Sequence, residues 1–154
     1  MDKQAIVAAV VARLRADFET LRKAADETRA TANDDESRSE GKYDTRSTES
    51  GYLANGQARH AATLKKSLEA IELADWSALN PGAPVALGAL LEIDFPGSGP
   101  DWFILAPGAG GIEVEHDGRS VTVITPVSPL AQQLLGKTSG TTLERPPATL
   151  VTVS

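Results

Sequence analysis

The residues of this sequence that are best suited to chemistry are six carboxylates between Asn33 and Ser50. They are Asp34, Asp35, Glu36, Glu40, Asp44 and Glu49, interleaved with the bases Arg38, Lys42 and Arg46. Carboxylate oxygens suit Mg²⁺, which keeps several waters and is often held by one or two protein carboxylates. A solvated segment cannot orient these side chains alone, so it would have to complete a metal site in another protein. A Mg²⁺ held there could activate water for phosphodiester hydrolysis. A merely charged, solvated turn is the plainer interpretation.

Residue types exclude most other chemistries. The absence of cysteine excludes disulfides, thiolate metal sites and thiol nucleophiles. The two histidines, His60 and His116, lie in different halves of the chain without a neighbouring ligand set, and no serine has credible His and Asp partners. The glycines between Pro107 and Gly111 lack the helix and lysine of a nucleotide-binding loop. The net charge of −6 indicates that nucleic acid would be contacted only through another protein.

The elements that must position the acids divide into a helical half and a strand-rich half. No proline occurs between Met1 and Leu79, whereas all nine prolines occur from Pro81 onward. Proline removes a backbone donor and breaks helices, so we expect a helical domain at 1–79 and a second domain at 80–154. The segment from Asn80 to Pro84 is the expected linker. No segment is long and apolar enough to span a bilayer, which favours a cytoplasmic protein with no membrane partner.

Apolar residues in the helical half recur in alternating steps of three and four, the period of a coiled-coil seam. The first seam comprises Val7, Val11, Leu14, Phe18, Leu21, Ala25 and Thr28. The second comprises Ala54, Gln57, Ala61, Leu64, Leu68 and Ile71. These seams predict two long antiparallel helices joined by the acidic segment, which would form the tip of a hairpin at about 33–50. A self-paired hairpin favours a monomer. Two helices of a globular bundle are the alternative.

The second half predicts a small antiparallel sheet with one short helix, so the fold class is α+β. Alternating runs predict strands at Val85–Phe95 and Trp102–Leu105. A hairpin is expected around Asp117-Gly118, because an Asp-Gly pair between alternating runs indicates a tight turn. It would join strands at 111–115 and 120–124. A short helix is predicted at Pro126–Lys137, with Ser128 as its N-cap, and a last strand at Ala148–Val153.

Three segments resemble the Gre family of bacterial transcription elongation factors. The segment Val123–Lys137, ending in SPLAQQLLGK, is similar to the motif that precedes the last hairpin of that family. The segments Lys42–Arg46 and Glu49–Ala58 resemble a Gre-like subgroup near the tip. The resemblance covers nearly the whole chain. It implies an N-terminal coiled-coil hairpin and an FKBP-like C-terminal domain.

The resemblance implies a protein that binds RNA polymerase and inserts its coiled coil into the secondary channel. Tip acids of the family help to hold a Mg²⁺ shared with the polymerase. They thereby stimulate the cleavage of backtracked RNA by the polymerase itself. The RNA 3′ end would be met only within that complex. By this resemblance Asp44, Glu40 and Glu49 are the expected catalytic residues, and Asp44 with Glu40 the expected Mg²⁺ ligands. The chain would be no enzyme and would hold no cofactor of its own.

The resemblance also implies a partner-binding segment in the second half. Its expected residues are Ser128, Pro129, Leu130, Leu134, Gly136 and Lys137. The tip departs from the family, because Lys42 stands where the usual Gly-Asp-Leu-x-Glu-Asn has its aspartate. A regulator that occupies the channel without stimulating cleavage is therefore the alternative. A prolyl isomerase, suggested by the FKBP-like fold, would need an aromatic pocket built from Phe95, Trp102 and Phe103. The final segment 141–154 is short, so a trimmed last hairpin is expected.

Overall fold

The computed structural model describes the backbone of residues 1–36 and 45–154, and their side chains except at 31–36, 45–51 and 54. Two long helices come first, α1 (Lys3–Glu36) and α2 (Thr45–Leu73). The remaining elements are β1 (Leu90–Phe95), β2 (Gly99–Leu105), β3 (Glu113–His116), β4 (Arg119–Ile124), α3 (Pro129–Leu134), β5 (Thr142–Glu144) and β6 (Pro147–Val153). The α+β class is confirmed. Within the described ranges, no helix combines the length and apolarity of a membrane span.

The strands form one sheet in the order β3-β4-β2-β1-β6-β5, and one pair in it is parallel. β2 pairs with β4 in parallel from Trp102↔Val121 to Leu105↔Ile124, whereas the other neighbours are antiparallel. The prediction of a purely antiparallel sheet is therefore wrong. The chain leaves β2, makes β3 at the sheet edge, and returns through a tight turn so that β4 lies beside β2. β3 runs opposite to β2, and the turn makes β4 antiparallel to β3. β4 therefore runs in the same direction as β2.

The β3–β4 hairpin confirms the predicted Asp-Gly turn. His116 pairs with Arg119, and the two residues between them, Asp117 and Gly118, have φ of 52° and 71°. Two consecutive positive φ angles are those of a type I′ turn, whose twist matches the twist of the flanking strands. The two strands are Glu113–His116 and Arg119–Ile124, within two residues of the predicted ends.

Other strand and helix bounds differ from the prediction for local reasons. β1 begins at Leu90 instead of Val85, because Val85 bonds the segment that follows α3: its N–H donates to Lys137 O at 2.8 Å. α3 spans only Pro129–Leu134, with Ser128 as its N-cap. Gly136 follows in the left-handed conformation at φ 76°. This conformation ends the helix, so α3 stops short of the predicted end at Lys137. The last hairpin contains β5, a three-residue strand that was not predicted.

The main core lies on the sheet face that carries α3. Ala131 and Leu134 from α3 are fully buried with the β1 residues Leu91 and Ile93 and with Leu150 of β6. Strand side chains alternate between faces. Leu90, Ile104 and Val123, which register with one another across β1, β2 and β4, are therefore on the opposite face, and they are buried as well.

The described chain divides into two compact units, and the two long helices contribute to both. One unit comprises Met1–Arg13 and Ser67–Ser154, and the other comprises Leu14–Lys66. In the first, Lys3 Nζ donates to Ser77 O at 3.0 Å. In the second, Thr28 Oγ1 contacts Gln57 Oε1 at 3.4 Å. The division into domains at 1–79 and 80–154, and a supercoiled coiled coil, stay predictions.

The buried stripe of α1 agrees with the predicted seam only from Leu14 onward. Leu14 and Ala25 are buried, and Phe18, Leu21 and Thr28 are half-buried. Val7 and Val11, however, are half-buried, and Ile6 and Val10 are buried instead. Ile6, Val10 and Leu14 recur every four residues, a spacing that drifts across a heptad seam. They begin in the unit that contains the sheet, where the helix buries a different face.

Candidate functional site

The segment predicted to bind a partner folds around the short helix α3. Ser128 has extended backbone at φ −69° and ψ 143°, and its Oγ accepts a hydrogen bond from Ala131 N–H at 3.3 Å. Pro129 occupies the first turn, where its missing N–H costs nothing. Leu134 is fully buried and Leu130 is half-buried against the same core. Of the six predicted residues, Pro129, Gly136 and Lys137 are exposed. Their role in binding stays a prediction.

Three exposed aliphatic side chains near α3 were not predicted. Val127 is 79% exposed, Leu87 is 46% exposed and Leu135 is 39% exposed. The backbone brings their segments together, because Gly136 N–H donates to Val85 O at 3.0 Å. Val127 and Leu135 immediately flank the cap residue and the last helical turn. Gly136 is the signal in the sequence, since a glycine directly after the C-cap ends a helix and leaves the residues at its end outside the core.

The acidic segment is only partly described. Glu40 and Asp44 lie outside the described residues. Glu49 lies in the second turn of α2, where the backbone is described. Within the part of the chain that the structure describes, no cluster of three or more His, Asp or Glu side chains could hold a metal ion. The catalytic role of Asp44, Glu40 and Glu49, and the Mg²⁺ held by Asp44 and Glu40, therefore stay predictions.

The rings that a prolyl isomerase would need do not line one cavity. Phe95 and Phe103 pack edge to face, with centroids 6.2 Å apart, against the core beneath α3. Trp102 is on the opposite sheet face, since it follows Phe103 in the same strand. There it lines a depression of about 250 Å³ together with Glu92, Asp101 and Arg119. The Arg119 guanidinium lies 5.6 Å from the Trp102 ring centroid, a cation–π contact. This depression is lined by charges and does not suit an apolar proline ring.

The segment after α2 is held by polar contacts to the first residues of α1. Gln4 Nε2 donates to Trp76 O at 3.3 Å, beside the bond from Lys3 to Ser77. Partial burial lowers the pKa of Lys3, and the nearby Asp75 carboxylate opposes that effect. Hydrogen bonds donated by the Ser77 hydroxyl and N–H lower the pKa of Asp75. The two Ser77 donors therefore favour the charged form of the Asp75 carboxylate and fix its position.

The chain is similar to three solved structures of one kind of transcription factor. It is 19% identical to "GreA factor homolog 1 (Gfh1)" of Thermus thermophilus, with 95% of each chain covered and a TM-score of 0.34. For Gfh1 of Thermus aquaticus the identity is 18%, the coverage 95% and 94%, and the TM-score 0.34. A further structure, "the transcription factor Gfh1", is 21% identical, covered at 94% and 93%, with a TM-score of 0.33.

No protein-family model and no curated protein sequence matches the chain. Because the identities and TM-scores of the similar structures are this low, the proposal below rests on the motifs and contacts of the chain itself.

Proposed function

We propose that this chain is an RNA polymerase-binding transcription elongation factor whose helix pair enters the secondary channel. The observation that carries the proposal is the Val123–Lys137 segment. It resembles the Gre motif in sequence, and it folds as the end of a buried strand, a capped helix and a left-handed glycine. Two helices of 34 and 29 residues precede it, which is the order of elements in that family.

The surface around α3 supports a protein partner for this half of the chain. Val127, Leu135 and Leu87 expose aliphatic side chains on the segments that flank α3 or bond to its end, and Pro129 and the cationic Lys137 are exposed as well. Apolar side chains bordered by polar ones are typical of protein interfaces. In the proposal this surface docks at the rim of the channel, while the buried Leu134 and the capping Ser128 hold it in shape.

The chemistry proposed for the tip belongs to the polymerase. Asp44 and Glu40 would help to hold a Mg²⁺ that is shared with the polymerase active centre, with Glu49 close by in the chain. A metal held from two proteins lowers the pKa of bound water and stabilises the charge that develops on phosphate. The chain would then stimulate cleavage of backtracked RNA without being an enzyme itself.

The second candidate is a regulator that occupies the channel without stimulating cleavage. Lys42 favours it, because a cation stands where the family pattern has its first tip aspartate. Arg38 and Arg46 further offset the local negative charge. A less negative tip attracts a divalent cation more weakly. Binding to the polymerase is common to both candidates, and only the cleavage step separates them.

The deciding experiment measures RNA length in a backtracked elongation complex at millimolar Mg²⁺, with and without the chain. Shortening from the 3′ end that is lost in Asp44→Ala, with co-elution on the polymerase unchanged, is the expected result for the cleavage factor. Asp35→Ala is the matched control, since it removes another acid of the same segment. Stable co-elution without shortening would establish the regulator. Absence of co-elution would contradict the proposed function in both forms.

A further inference from the structure

The face of α2 that points away from α1 carries an unusual set of residues. Tyr52 is 75% exposed, and Gly56 and Arg59 are exposed as well. Their spacing of four and seven residues places them on one face of the helix. Gln57 and Ala61, which are half-buried, are on the face toward α1. We call Tyr52, Gly56 and Arg59 the outer face of α2.

Neither packing between α1 and α2 nor helix propensity accounts for the residue types of the outer face. Leu53, 58% exposed, flanks the outer face, so two large apolar side chains point toward solvent while the seam beside them holds the smaller Ala61 and the polar Gln57. Gly56 is one of the poorest residue types for a helix interior. A Cβ built on Gly56 would have no neighbour within 4 Å in the described chain, so packing gives no reason for the missing side chain.

The charge of this part of α2 indicates what would cover the outer face. Between Ser50 and Leu68 there is no acidic residue, whereas Arg59 and, seven residues later, Lys66 place positive charge on the outer face, in a chain of net charge −6. Arg59 lies on the outer face, two turns from Tyr52. A partner of complementary charge would carry carboxylates at the margin of an apolar surface. Gly56 would let that surface approach the helix backbone, since no side chain separates them.

We infer that the outer face of α2 is a second docking surface, which receives an apolar, acid-bordered protein surface of the polymerase. The inference rests on the proposed function, because it names the polymerase as the partner. It goes beyond that function by assigning contacts to the helix pair outside both the acidic tip and the surface around α3. Tyr52 supplies apolar area with a polar end, Gly56 the close approach and Arg59 the ion pair.

The test uses the full-length chain and measures its affinity for purified core RNA polymerase. Gly56→Gln replaces a poor helix former by a good one, so the melting temperature should rise. Its long side chain would also cover the helix backbone that Gly56 leaves accessible to the partner. The expected affinity is about tenfold or more weaker, the size of effect seen for a well-packed interface position. Ala16→Gln, at an exposed position of α1, is the matched control and should bind like the original chain. Arg59→Glu should weaken binding most at low salt.

The remaining outcomes separate this inference from the proposed function. If the original chain binds and Gly56→Gln binds equally well, the outer face is not an interface, and the proposed function stands. If the original chain does not bind the polymerase, both are overturned. Loss of affinity of Gly56→Gln for a single-stranded RNA oligonucleotide, with polymerase binding unchanged, would assign the face to nucleic acid. A dimer of the original chain that Gly56→Gln dissociates, measured by sedimentation, would assign it to a second copy.

Discussion

Gly88, two residues before β1, lies against the backbone of Asp75 in the segment after α2. Its φ is 86°, a conformation that side chains with a Cβ rarely adopt, and a Cβ built there would lie 2.7 Å from the carbonyl oxygen of Asp75. The N–H of Gly88 also donates to Leu105 O at 2.8 Å, so the residue cannot easily shift. One glycine therefore allows three segments to meet: the segment after α2, the entry to β1, and the end of β2.

We expect Gly88→Ala to lower the free energy of unfolding by about 3 kcal/mol, from backbone strain and overlap together. Gly82→Ala is the control, because Gly82 has a similar φ of 81° but nothing within 4 Å of a built Cβ. Strain alone should cost about 1 kcal/mol there. Urea unfolding of both variants measures the difference. Equal losses would mean that the backbone relaxes away from Asp75.

At the scale of elements, α3 shows how a six-residue helix is maintained. Its own hydrogen bonds are too few to stabilise it, since helices this short are marginal in water. Burial of Ala131 and Leu134 holds one face, and the Ser128 hydroxyl satisfies an N–H at the start. The same helix carries the surface proposed to meet the polymerase, so its stability and its position are linked to binding.

Ser128→Ala should lower the free energy of unfolding by about 1 kcal/mol, because the Ala131 N–H loses its acceptor. Ser128→Asp should restore most of that stability, since aspartate is an equally good N-cap. Both values come from chemical denaturation followed by circular dichroism. If alanine and aspartate behaved alike, the cap would not contribute, and α3 would be held by its two buried residues alone.

Sequence reasoning found the elements whose cause is local. Asp117-Gly118 indicates the β3–β4 turn because only certain residues accept positive φ, and Ser128-Pro129 indicates the start of α3 by capping. It did not find the parallel β2–β4 pair, because strand order depends on packing between distant segments. β5 was missed because three residues, Thr142–Glu144, are too few to show alternation. The outer face of α2 was missed for another reason: periodicity identifies what is buried, and Tyr52 is exposed.

At the scale of the whole molecule, buried side chains are distributed unequally between the two compact units. Among the described residues of Leu14–Lys66, only Leu14 and Ala25 are buried, whereas the other unit buries both sheet faces together with Ile6, Val10 and Ile71. Helical stability in proteins comes mainly from tertiary burial. The unit Leu14–Lys66 should therefore be less stable than the unit that contains the sheet.

Native-state hydrogen exchange should show this difference. We expect backbone amides of α1 between residues 17 and 30 to exchange about 100-fold faster than those of β1, because local opening there exposes little apolar surface. Amides at residues 7–13 of the same helix serve as the control and should exchange as slowly as the sheet. Uniform protection along the whole of α1 would show that the helix pair and the sheet open as one cooperative body.

The position of β1 has a consequence for how the chain is made. β1 lies between β2 and β6, and its partner residues Glu92 and Thr152 are 60 positions apart. On the ribosome, β1 therefore emerges well before β6 is synthesised. Until then one edge of Leu90–Phe95 has no partner, and an apolar strand with an open edge readily pairs with other chains. A nascent chain whose β6 has not yet left the ribosome would consequently be prone to aggregate and should benefit from a chaperone.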